Sequence, residues 1–548
     1  MLSMVVELIH TYPILKILAT ICLCLITAIL VIQETFRPVG KRRGPGGKIY
    51  KLPPGPKGVP ILGSLLSLKD CVLENDHRTV SNRSVHFTFR VNIDREEQLK
   101  ELAQYGEMTT VHLGSKTWIL LNSKRVVYEI IARRGSLTNG RSPMPIASGI
   151  VSRHARSLIL PPEGWTEKRR VMHHLLSGSA LKLYGSWQEL ESTQMIAEYL
   201  YQPNRWFRHH YRYANSVVHR IALGERLEKS SKELADLQNV VTYFVGSIGK
   251  SIIDWFPDLD KLPRWMQFWR KHWEELGQWN YEVYRSWWVP VREKVDAGIA
   301  PPSFVRDVLL HKDTKFTGDD QEAMYVAMQL IEAGSDTIRE ALNIFAMSAL
   351  CYPDKFQKAR EEVDRICGTE AGSMRLPVLS DMDQMPYICA MIKELLRWRP
   401  IFVLTPDHCL TADLEFEGYS FPAGVGFVIN EVPVGNECED PEDFQPERWL
   451  DGHEADVAHG LWQFGGGRRI CVGYRLAQRG LFINIARLVM CFNYAAAGEI
   501  DSSKLNHHRT DEPFPVKVTA RGEEYAQLVK EGASRQGVLT AAQKALPS

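Results

Sequence analysis

The sequence is poor in features that mark several large classes of protein. Its 548 residues include only ten cysteines and no Cys-x-x-Cys pair, which argues against a disulfide scaffold and against a structural zinc site. It has almost no excess of charge, because 66 basic and 65 acidic side chains leave a formal net charge of +1. We therefore expect neither a disordered chain nor a nucleic-acid binder with a dominant basic surface.

One long apolar run lies near the N-terminus. Lys16 is the single charged side chain between residues 12 and 32, and this run is long enough to cross a bilayer as a helix. No basic region precedes it and no small-residue cleavage site follows it before Arg37, so a retained anchor over residues 1–36 is favoured over a cleaved secretory signal. The basic residues after the run place the remaining chain in the cytosol by the positive-inside rule.

The rest of the chain shows a hinge followed by one large body. Residues 37–60 are basic and rich in proline, which imposes an extended, stiff backbone. Beyond them, apolar residues with a period of 3.6 predict helices around 96–105, 163–182, 230–252, 263–299, 320–350, 354–366, 384–398 and 474–492. Strand patterns occur at 108–121 and 414–430. No repeat or linker divides this part, so we expect a single mainly α domain with small β-sheets over residues 61–548.

A glycine-rich stretch with one cysteine precedes the last predicted helix. It reads Phe464-Gly465-Gly466-Gly467-Arg468-Arg469-Ile470-Cys471-Val472-Gly473, and the glycines allow a loop to pass close to a flat ligand. A cysteine at a helix N-terminus is favoured as the thiolate by backbone N–H groups and the helix dipole. An inert buried cysteine fits this pattern less well, and a phosphate loop is disfavoured because no Gly-Lys-Ser/Thr ending occurs.

This stretch resembles the haem-binding signature F-x-x-G-x-R-x-C-x-G of the cytochrome P450 family. The matching residues are Phe464, Gly467, Arg469, Cys471 and Gly473. The resemblance implies a cytochrome P450-like fold that binds haem b, with Cys471 as the axial iron ligand and Phe464 packed near its sulfur. It also implies that Arg469 holds a haem propionate through charge-assisted hydrogen bonds. A thiolate ligand donates electron density to the iron and thereby favours oxygen activation.

The predicted helix 320–350 contains the segment Ala333-Gly334-Ser335-Asp336-Thr337. It resembles the A-G-x-D/E-T kink that lies over the haem in this family. Small residues there would leave room for dioxygen, and Asp336 and Thr337 are the candidate catalytic pair for relaying protons. The alternative is a solvent-facing Asp336 and a Thr337 hydroxyl that bonds back to its own helix.

Three further residues are candidates for haem contact by the same resemblance. Trp165 and Arg169 have i, i+4 spacing at the start of the predicted helix 163–182 and resemble a W-x-x-x-R element that contacts a propionate. The alternative is an aromatic–cation pair on the surface. His408 aligns with a residue that reaches the other propionate, although Asp407 stands where many relatives have proline.

A structural network is also implied. Glu394 and Arg397 share one face of the predicted helix 384–398, and Phe444-Gln445-Pro446-Glu447-Arg448-Trp449 resembles the family's F-x-P-E-R-F segment with tryptophan at its last position. The resemblance assigns Glu394, Arg397 and Arg448 to a buried network on the cysteine-loop side of the core, where loss of one member would leave charge unpaired.

Together these resemblances imply a haem-thiolate monooxygenase. One oxygen atom of O2 would enter a lipophilic small molecule, with electrons from NADPH delivered by a separate NADPH–cytochrome P450 reductase. The pattern looks most like fungal enzymes of secondary metabolism, bound to the endoplasmic reticulum membrane by a single span with the catalytic domain in the cytosol. Residues 147–150, 401–404 and 510–515 are the expected walls of an apolar pocket, and no nucleic-acid partner is expected.

Two other functions remain open at the level of sequence. A related haem-thiolate isomerase or dehydratase would use the same cysteine without external electrons, although such enzymes often lack the pair represented here by Asp336 and Thr337. A membrane-anchored haem sensor or scaffold would need neither that pair nor an apolar pocket. Consumption of NADPH in the presence of the reductase distinguishes these functions.

Two segments lie outside these motifs. Half of the 14 tryptophans fall between Trp255 and Trp288, and they predict either core packing or a lid whose tip, Trp255-Phe256-Pro257, enters the membrane interface. Residues 71–94 are polar and unpatterned for most of their length. They are expected to be an insertion, either a true surface excursion or a translated intron.

Overall fold

The computed structural model describes residues 41–43, 48–59, 62–64, 93–176, 178–227, 232–370, 372–500 and 514–544. Within these ranges helices predominate and the sheets are small, as the sequence predicts. None of the helices there is long and apolar enough to cross a bilayer. The predicted membrane helix 12–32 lies outside the described residues, as does the predicted insertion 71–94 except for its last two residues, which start a helix.

The elements are as follows. The α-helices are α1 (Ile93–Ala103), α2 (Lys124–Val127), α3 (Pro162–Met172), α4 (Gly178–Tyr201), α5 (Trp206–Leu223), α6 (Lys232–Ser247), α7 (Ile252–Trp255), α8 (Arg270–Asp296), α9 (Asp320–Cys351), α10 (Pro353–Cys367), α11 (Pro386–Trp398), α12 (Glu431–Gly435), α13 (Tyr474–Cys491), α14 (Glu523–Arg535) and α15 (Leu539–Lys544). The strands are β1 (Lys41–Arg43), β2 (Ile49–Lys51), β3 (Met108–Leu113), β4 (Lys116–Leu121), β5 (His408–Cys409), β6 (Leu414–Phe416), β7 (Tyr419–Phe421), β8 (Gly426–Ile429), β9 (Phe492–Ala496) and β10 (Val516–Ala520). Short 3-10 or π-helical turns that matter below are Tyr128–Ala132, Pro145–Val151, Pro446–Trp449 and Gly467–Arg469.

The largest sheet has four strands in the order β3-β4-β8-β5. β4 and β8 are parallel, whereas the pairs β3–β4 and β5–β8 are antiparallel. The other sheets are two-stranded and antiparallel: β1–β2, β6–β7 and β9–β10. The short β5 carries His408 at the edge of the four-stranded sheet, so this sheet positions one of the candidate haem contacts.

Helix α9 runs through the main hydrophobic core. It begins with a capping box, in which the Asp319 carboxylate accepts the Glu322 N–H at 2.8 Å and the Glu322 carboxylate accepts the Asp319 N–H. Most of its residues from Ala323 to Ala349 are buried, and it packs against α5, α11 and α13. Because α13 follows the cysteine loop directly, the α9–α13 contact brings two predicted site elements into one core.

The segment between residues 163 and 229 departs from the sequence prediction. The predicted helix 163–182 ends at Met172 and a new helix, α4, begins at Gly178. The sequence pattern predicts neither α5 nor the full length of α4. The buried face of α4 carries many polar side chains, and this helix therefore shows no clean apolar stripe. Buried polar residues of α4 and α5 include Gln188, Glu191, Gln194, Glu198, His209, His210, Arg212 and His219.

Candidate active site

Cys471 lies at the end of a loop that leads into α13. The Cys471 N–H donates to the Phe464 carbonyl at 2.8 Å and closes this loop. Gly467 has φ of +58°, and a Cβ there would collide with the Ile131 carbonyl. The sequence predicts that the glycines permit approach to a flat ligand. At Gly467 the neighbour that requires glycine is instead the protein backbone of the turn Tyr128–Ala132.

The thiol of Cys471 is accessible. Among the cysteines that the structure describes, only Cys471 is exposed, and its Sγ accepts the Gly473 N–H at 3.3 Å. Desolvation by surrounding protein raises the pKa of the thiol, whereas the Gly473 N–H and the charge of Arg169 oppose this rise. The Gly473 N–H at the start of α13 therefore acts in the direction that the sequence predicts, and the role of the Cys471 thiolate as an iron ligand stays a prediction.

Arg469 and Trp165 are in direct contact. The guanidinium carbon of Arg469 lies 3.9 Å from the centre of the Trp165 ring, and its Nε and Nη2 donate to the carbonyls of Asn139 and Leu160, each at 2.8 Å. Its buried Nη1 has no hydrogen-bond partner among the described residues. Burial, followed by the charges of Arg141 and Arg169, lowers the pKa of Arg469 to about 9, which marks a site short of negative charge.

Arg169 lies beside the same tryptophan. Its guanidinium carbon is 5.9 Å from the Trp165 ring centre, and its Nε contacts His173 Nε2 at 3.2 Å. Desolvation lowers the pKa of Arg169, while the nearby Cys471 thiol raises it. The W-x-x-x-R spacing thus places its arginine within electrostatic range of the loop cysteine.

His408 is buried beside this cluster as a neutral imidazole. Its Nδ1 lies 3.0 Å from the Thr138 carbonyl and therefore carries the proton. Burial and then the charge of Arg141 lower the pKa of His408 to about 3. In this tautomer Nε2 is an acceptor, so His408 can hold a carboxylate only after it gains a proton there.

The unusual Asp407 has a structural explanation. Its carboxylate accepts the Ser142 N–H at 3.2 Å and the Ser142 hydroxyl, and its carbonyl accepts Arg141 Nη1 at 2.6 Å. Asp407 therefore ties the start of β5 to the chain that precedes the turn Pro145–Val151. The departure from proline adds a buried tether next to His408.

The middle of α9 is open on one side only. Ala333 is exposed although its neighbours along the helix are mostly buried. Gly334 lies on another face, where a Cβ would collide with Val218 of α5. The smallness of Ala333 therefore leaves accessible space, whereas that of Gly334 allows two helices to pack closely.

Asp336 and Thr337 are both engaged within α9. The Thr337 hydroxyl donates to the Ala333 carbonyl at 2.8 Å, and the Asp336 carboxylate lies 3.2 Å from Arg339 Nη2. The threonine thus adopts the back-bonded state that was the alternative at the level of sequence, next to the accessible Ala333. Rotation about χ1 would turn such a hydroxyl away from the helix carbonyl and toward a molecule bound beside the helix.

A buried ion pair precedes the accessible segment. Arg156 donates to Glu332 through Nη2 at 2.9 Å and Nε at 3.3 Å, and Tyr284 also donates to Glu332. Burial opposes the charge of Arg156, but Glu332 together with Tyr284 and Tyr325 outweighs this effect and raises the pKa of the guanidinium. Sequence reasoning missed this pair because its members are 176 residues apart and belong to no motif.

The Glu394 network is assembled as predicted. Arg397 binds Glu394 in a bidentate manner with both distances at 2.8 Å, and Arg448 Nε lies 3.3 Å from the same carboxylate. Trp449 Nε1 adds a donor at 2.9 Å, a contact that phenylalanine at this position would not make. The backbone N–H of Gln445 also donates to Glu394, so all these groups converge on one buried carboxylate.

Comparison with known families decides the classification. The family model described as cytochrome P450 matches residues 53–508. The chain belongs to the cytochrome P450 family. The predictions of a cytochrome P450 enzyme and of haem b, with NADPH as the indirect electron source, are thereby confirmed at the level of the family.

Curated relatives of this P450 are named monooxygenases. Cytochrome P450 monooxygenase verL of Clonostachys rogersoniana is 30% identical over 515 residues, which cover 88% of this chain and 90% of the relative. Cytochrome P450 monooxygenase fogE of Aspergillus ruber is 29% identical over 506 residues, covering 87% and 89%. The chain is accordingly an oxidoreductase of the monooxygenase type.

Solved structures agree on the fold. A zebra fish cytochrome P450 determined with abiraterone superposes with a TM-score of 0.61 at 20% identity, covering 78% of this chain and all of that one. A structure described as the zebra fish cytochrome P450 with progesterone gives a TM-score of 0.62 at the same identity. At this identity the likeness supports the P450 fold alone.

The residues around Cys471 fit haem b. The cofactor needs a sulfur ligand and partners for two propionates. This P450 offers an accessible thiol, a buried Arg469 whose Nη1 has no partner in the described part of the chain, and the further guanidinium groups of Arg141 and Arg169. Phe464, whose carbonyl closes the loop, lies with its ring centre 6.4 Å from that of Tyr474. The individual contacts with haem remain predictions.

The predicted lid tip is wrong. Trp255 is buried, its Nε1 donates to the Gly249 carbonyl at 2.6 Å and its ring centre lies 5.6 Å from that of Trp118. The exposed aromatic residues lie further along the P450 chain, where Trp265 is 64% and Phe268 is 90% exposed. Indole N–H pairing with Gly249 therefore fixes Trp255 inside the body.

The predicted pocket walls differ in exposure. Phe402 is 49% exposed, whereas Ala147 is buried in the turn Pro145–Val151. Phe514 packs against Trp206 in the main core with ring centres 5.1 Å apart, and residues 510–513 lie outside the described ranges. Of the three segments, 401–404 offers an open apolar surface.

Proposed function

We propose that this P450 inserts one oxygen atom of O2 into a lipophilic small molecule of a fungal secondary-metabolite pathway. Electrons would come from NADPH through NADPH–cytochrome P450 reductase. The observation that carries the proposal is the exposed thiol of Cys471 beside the anion-poor cluster of Arg141, Arg169 and Arg469. Curated relatives from Aspergillus ruber and Clonostachys rogersoniana support the fungal assignment.

The chain would hold haem b from two directions. Cys471 would supply the sulfur ligand from the loop, with the Gly473 N–H donating to Sγ and limiting its charge. Arg469, whose Nη1 lacks a partner among the described residues, would bind one propionate, assisted by Trp165 and Arg169. His408 would reach the other propionate once protonated at Nε2.

The protein's part in oxygen chemistry is proton delivery. Haem ligated by thiolate supplies oxygen activation when bound. Thr337 would rotate its hydroxyl away from the Ala333 carbonyl and donate a hydrogen bond into the space beside Ala333. Asp336, held at 3.2 Å from Arg339, would take up protons from solvent and pass them through water to the Thr337 hydroxyl. These roles rest on the accessible face of α9.

Membrane association is the second part of the proposal. The apolar segment 12–32 would anchor the chain in the endoplasmic reticulum membrane with the catalytic domain in the cytosol. The exposed cluster of Trp265, Met266 and Phe268 would add a second contact at the interface, where aromatic side chains are favoured. Deletion of residues 1–36 should therefore release much of the protein from membranes, while this cluster retains a fraction.

A cysteine substitution tests the catalytic proposal. Cys471→Ser should abolish the thiolate-type spectrum of the reduced carbon monoxide complex and the NADPH consumption supported by added reductase. Cys438→Ser is the matched control, since Cys438 is partly exposed on another loop and its hydrogen bond among the described residues is a local one to the Gly435 carbonyl. A surviving spectrum in the first variant would show that the ligand is another residue.

A second measurement separates the monooxygenase from the rival functions. Thr337→Ala should retain haem yet divert a larger share of NADPH into peroxide, because the hydroxyl that delivers protons is lost. An isomerase, a dehydratase or a haem sensor would turn over or bind without NADPH. Unchanged coupling in Thr337→Ala would remove Thr337 from the mechanism.

A further inference from the structure

A loop between the Glu394 network and the cysteine loop presents two histidines and an aspartate. It runs from Asp451 to His459, just after the turn Pro446–Trp449. One ligand atom each from Asp451, His453 and His459 lies within 4.8 Å of the others, and all three side chains are exposed. Nothing in the proposed monooxygenase reaction uses these residues.

The two imidazoles already lie side by side. The rings of His453 and His459 stack with centres 4.1 Å apart and planes 10° from parallel, and His453 Nδ1 lies 3.7 Å from Asp451 Oδ1. Nitrogen and oxygen ligands about 2.1 Å from a tetrahedral zinc ion are about 3.4 Å apart. All three side chains are exposed, so rotation about their χ angles would turn the two ring planes toward one point and bring the three atoms to that spacing.

Hydrogen bonds within the loop fix the backbone that carries the three residues. Asp451 Oδ1 accepts the His453 N–H at 2.9 Å, and Gly452 reverses the chain with φ of +86°. The Asp456 N–H donates to the His453 carbonyl and the His459 N–H to the Asp456 carbonyl, each at 3.0 Å. The loop therefore loses little conformational entropy when its three ligands bind a metal ion.

The surroundings are suited to a cation. Glu454 and Asp456 add carboxylates to that of Asp451 in the same loop. The buried Lys393 approaches the backbone of the loop, because its Nζ donates to the His453 carbonyl at 3.2 Å and lies over the Trp449 ring. Two imidazoles with one carboxylate favour Zn²⁺ and its neighbours in the transition series over Mg²⁺ and Ca²⁺, which prefer oxygen ligands.

We propose that Asp451, His453 and His459 form a surface binding site for a divalent transition-metal ion of the Zn²⁺ class. The ion would close the loop between Trp449, a donor to Glu394, and Phe464, the first residue of the cysteine loop. It would thereby stabilise the segment that leads into the haem ligand, separately from the catalytic iron site.

Zinc uptake by the untagged, haem-loaded full chain tests this site. Equilibrium dialysis with ZnCl2 should show one ion per chain at this loop, and His453→Ala and His459→Ala should each lower the affinity. Substitution of residues that merely orient metal ligands costs 10- to 100-fold, so loss of a ligand should cost at least about tenfold. The reduced carbon monoxide spectrum of each variant verifies that it is folded.

Matched controls make the result decisive. His311→Ala removes an exposed histidine whose Nδ1 lies 3.7 Å from Asp313, a pair that is not part of a three-ligand group among the described residues; zinc affinity should not change. Anomalous scattering at the zinc edge should locate the ion between His453 and His459. Three results would overturn the proposal. They are unchanged zinc affinity in both loop variants, loss of zinc binding only in His507→Ala/His508→Ala, and the absence of saturable zinc uptake.

Discussion

Two buried carboxylates in this P450, Glu394 and Glu332, are each chelated by an arginine, but their surroundings differ. Glu394 lies in α11 and receives hydrogen bonds from Arg397, Arg448, Trp449 and the Gln445 backbone. Glu332 lies in α9 and its described donors are the side chains of Arg156 and Tyr284. The first carboxylate is a junction of several segments, whereas the second joins one arginine and one tyrosine to the helix beside Ala333.

The difference separates a structural centre from the border of the accessible face. Replacing a buried ion pair with apolar residues of similar volume is often tolerated, but removing one partner leaves an unpaired buried charge. A pair with few other partners can be replaced as a unit. A carboxylate that also satisfies a second arginine, an indole and a backbone N–H cannot, because its removal leaves those donors unpaired.

The largest effect is expected at Glu394. Glu394→Gln keeps the shape, but it turns an amide NH2 donor toward groups that are themselves donors and leaves Arg397 and Arg448 without a counter-charge. We therefore expect destabilisation by about 3–5 kcal/mol and poor retention of haem. Urea unfolding and the reduced carbon monoxide spectrum measure the two effects. The control is Glu275→Gln, whose side chain is 66% exposed in a loose pair with Lys271, and which should change stability by less than about 0.5 kcal/mol.

The Arg156–Glu332 pair provides the second test of the comparison. Arg156→Met alone should cost about 3 kcal/mol or more, because it strands Glu332 in the core. The double variant Arg156→Met/Glu332→Leu should recover more than half of that loss. The corresponding double variant Arg397→Met/Glu394→Leu should recover little. Equal recovery in the two cycles, measured by urea unfolding, would show that the two carboxylates are equivalent.

The sequence predicted the Cys471 loop and the Glu394 network better than the surroundings of Ala333 in α9. The Cys471 loop and the segments of the Glu394 network are short motifs that resemble those of the family, and this resemblance identified them in the sequence. Arg156–Glu332 joins residues 176 positions apart, and no local pattern marks it. The His453–His459 pair was missed because five residues separate the two histidines in an irregular loop rather than on a helix face.

The helices show the same limit. The amphipathic period identified α9, α11 and α13, whose buried faces are mainly apolar. It failed for α4, because the buried face of this helix carries charged residues such as Glu191, which pairs with Arg212 of α5. Hydropathy cannot distinguish a charge that is paired inside from one that faces water, so the partners of these helices had to be seen in three dimensions.

A third buried carboxylate, Glu431 in α12, has no arginine partner among the described residues. Burial raises its pKa to about 8, with Gln463 opposing the rise, and its Oε1 has no hydrogen-bond partner among those residues. The folded protein therefore holds a proton that the unfolded chain releases above its ordinary pKa of about 4.3. Stability from this group is complete below that value and is lost as the pH rises through about 8.

Glu431→Gln should remove this dependence. Glutamine mimics the protonated carboxyl. As the pH rises from about 5 to 8, the free energy of unfolding of the variant should therefore increase relative to that of the native protein by on the order of 2–3 kcal/mol, and this difference should then stay constant. Thermal unfolding midpoints across this range measure the difference. A constant difference would mean that Glu431 is ionised in the folded protein and is satisfied by a partner that geometry does not reveal.

The smallest effect isolates one donor of the Glu394 junction. Trp449→Phe restores the residue type of the family's F-x-P-E-R-F segment and removes the indole N–H that donates to Glu394 at 2.9 Å. Arg397 Nε still donates to the same oxygen at 2.8 Å. The expected loss of stability is therefore about 1–2 kcal/mol, near the low end for a hydrogen bond to a charged group.

Trp118→Phe is the volume-matched control, because the Trp118 indole nitrogen is buried without a partner among the described residues and its loss breaks no hydrogen bond. In the Glu394→Gln background the cost of Trp449→Phe should shrink toward that of Trp118→Phe; an unchanged cost there would mean that Trp449 stabilises the junction by packing rather than through its N–H.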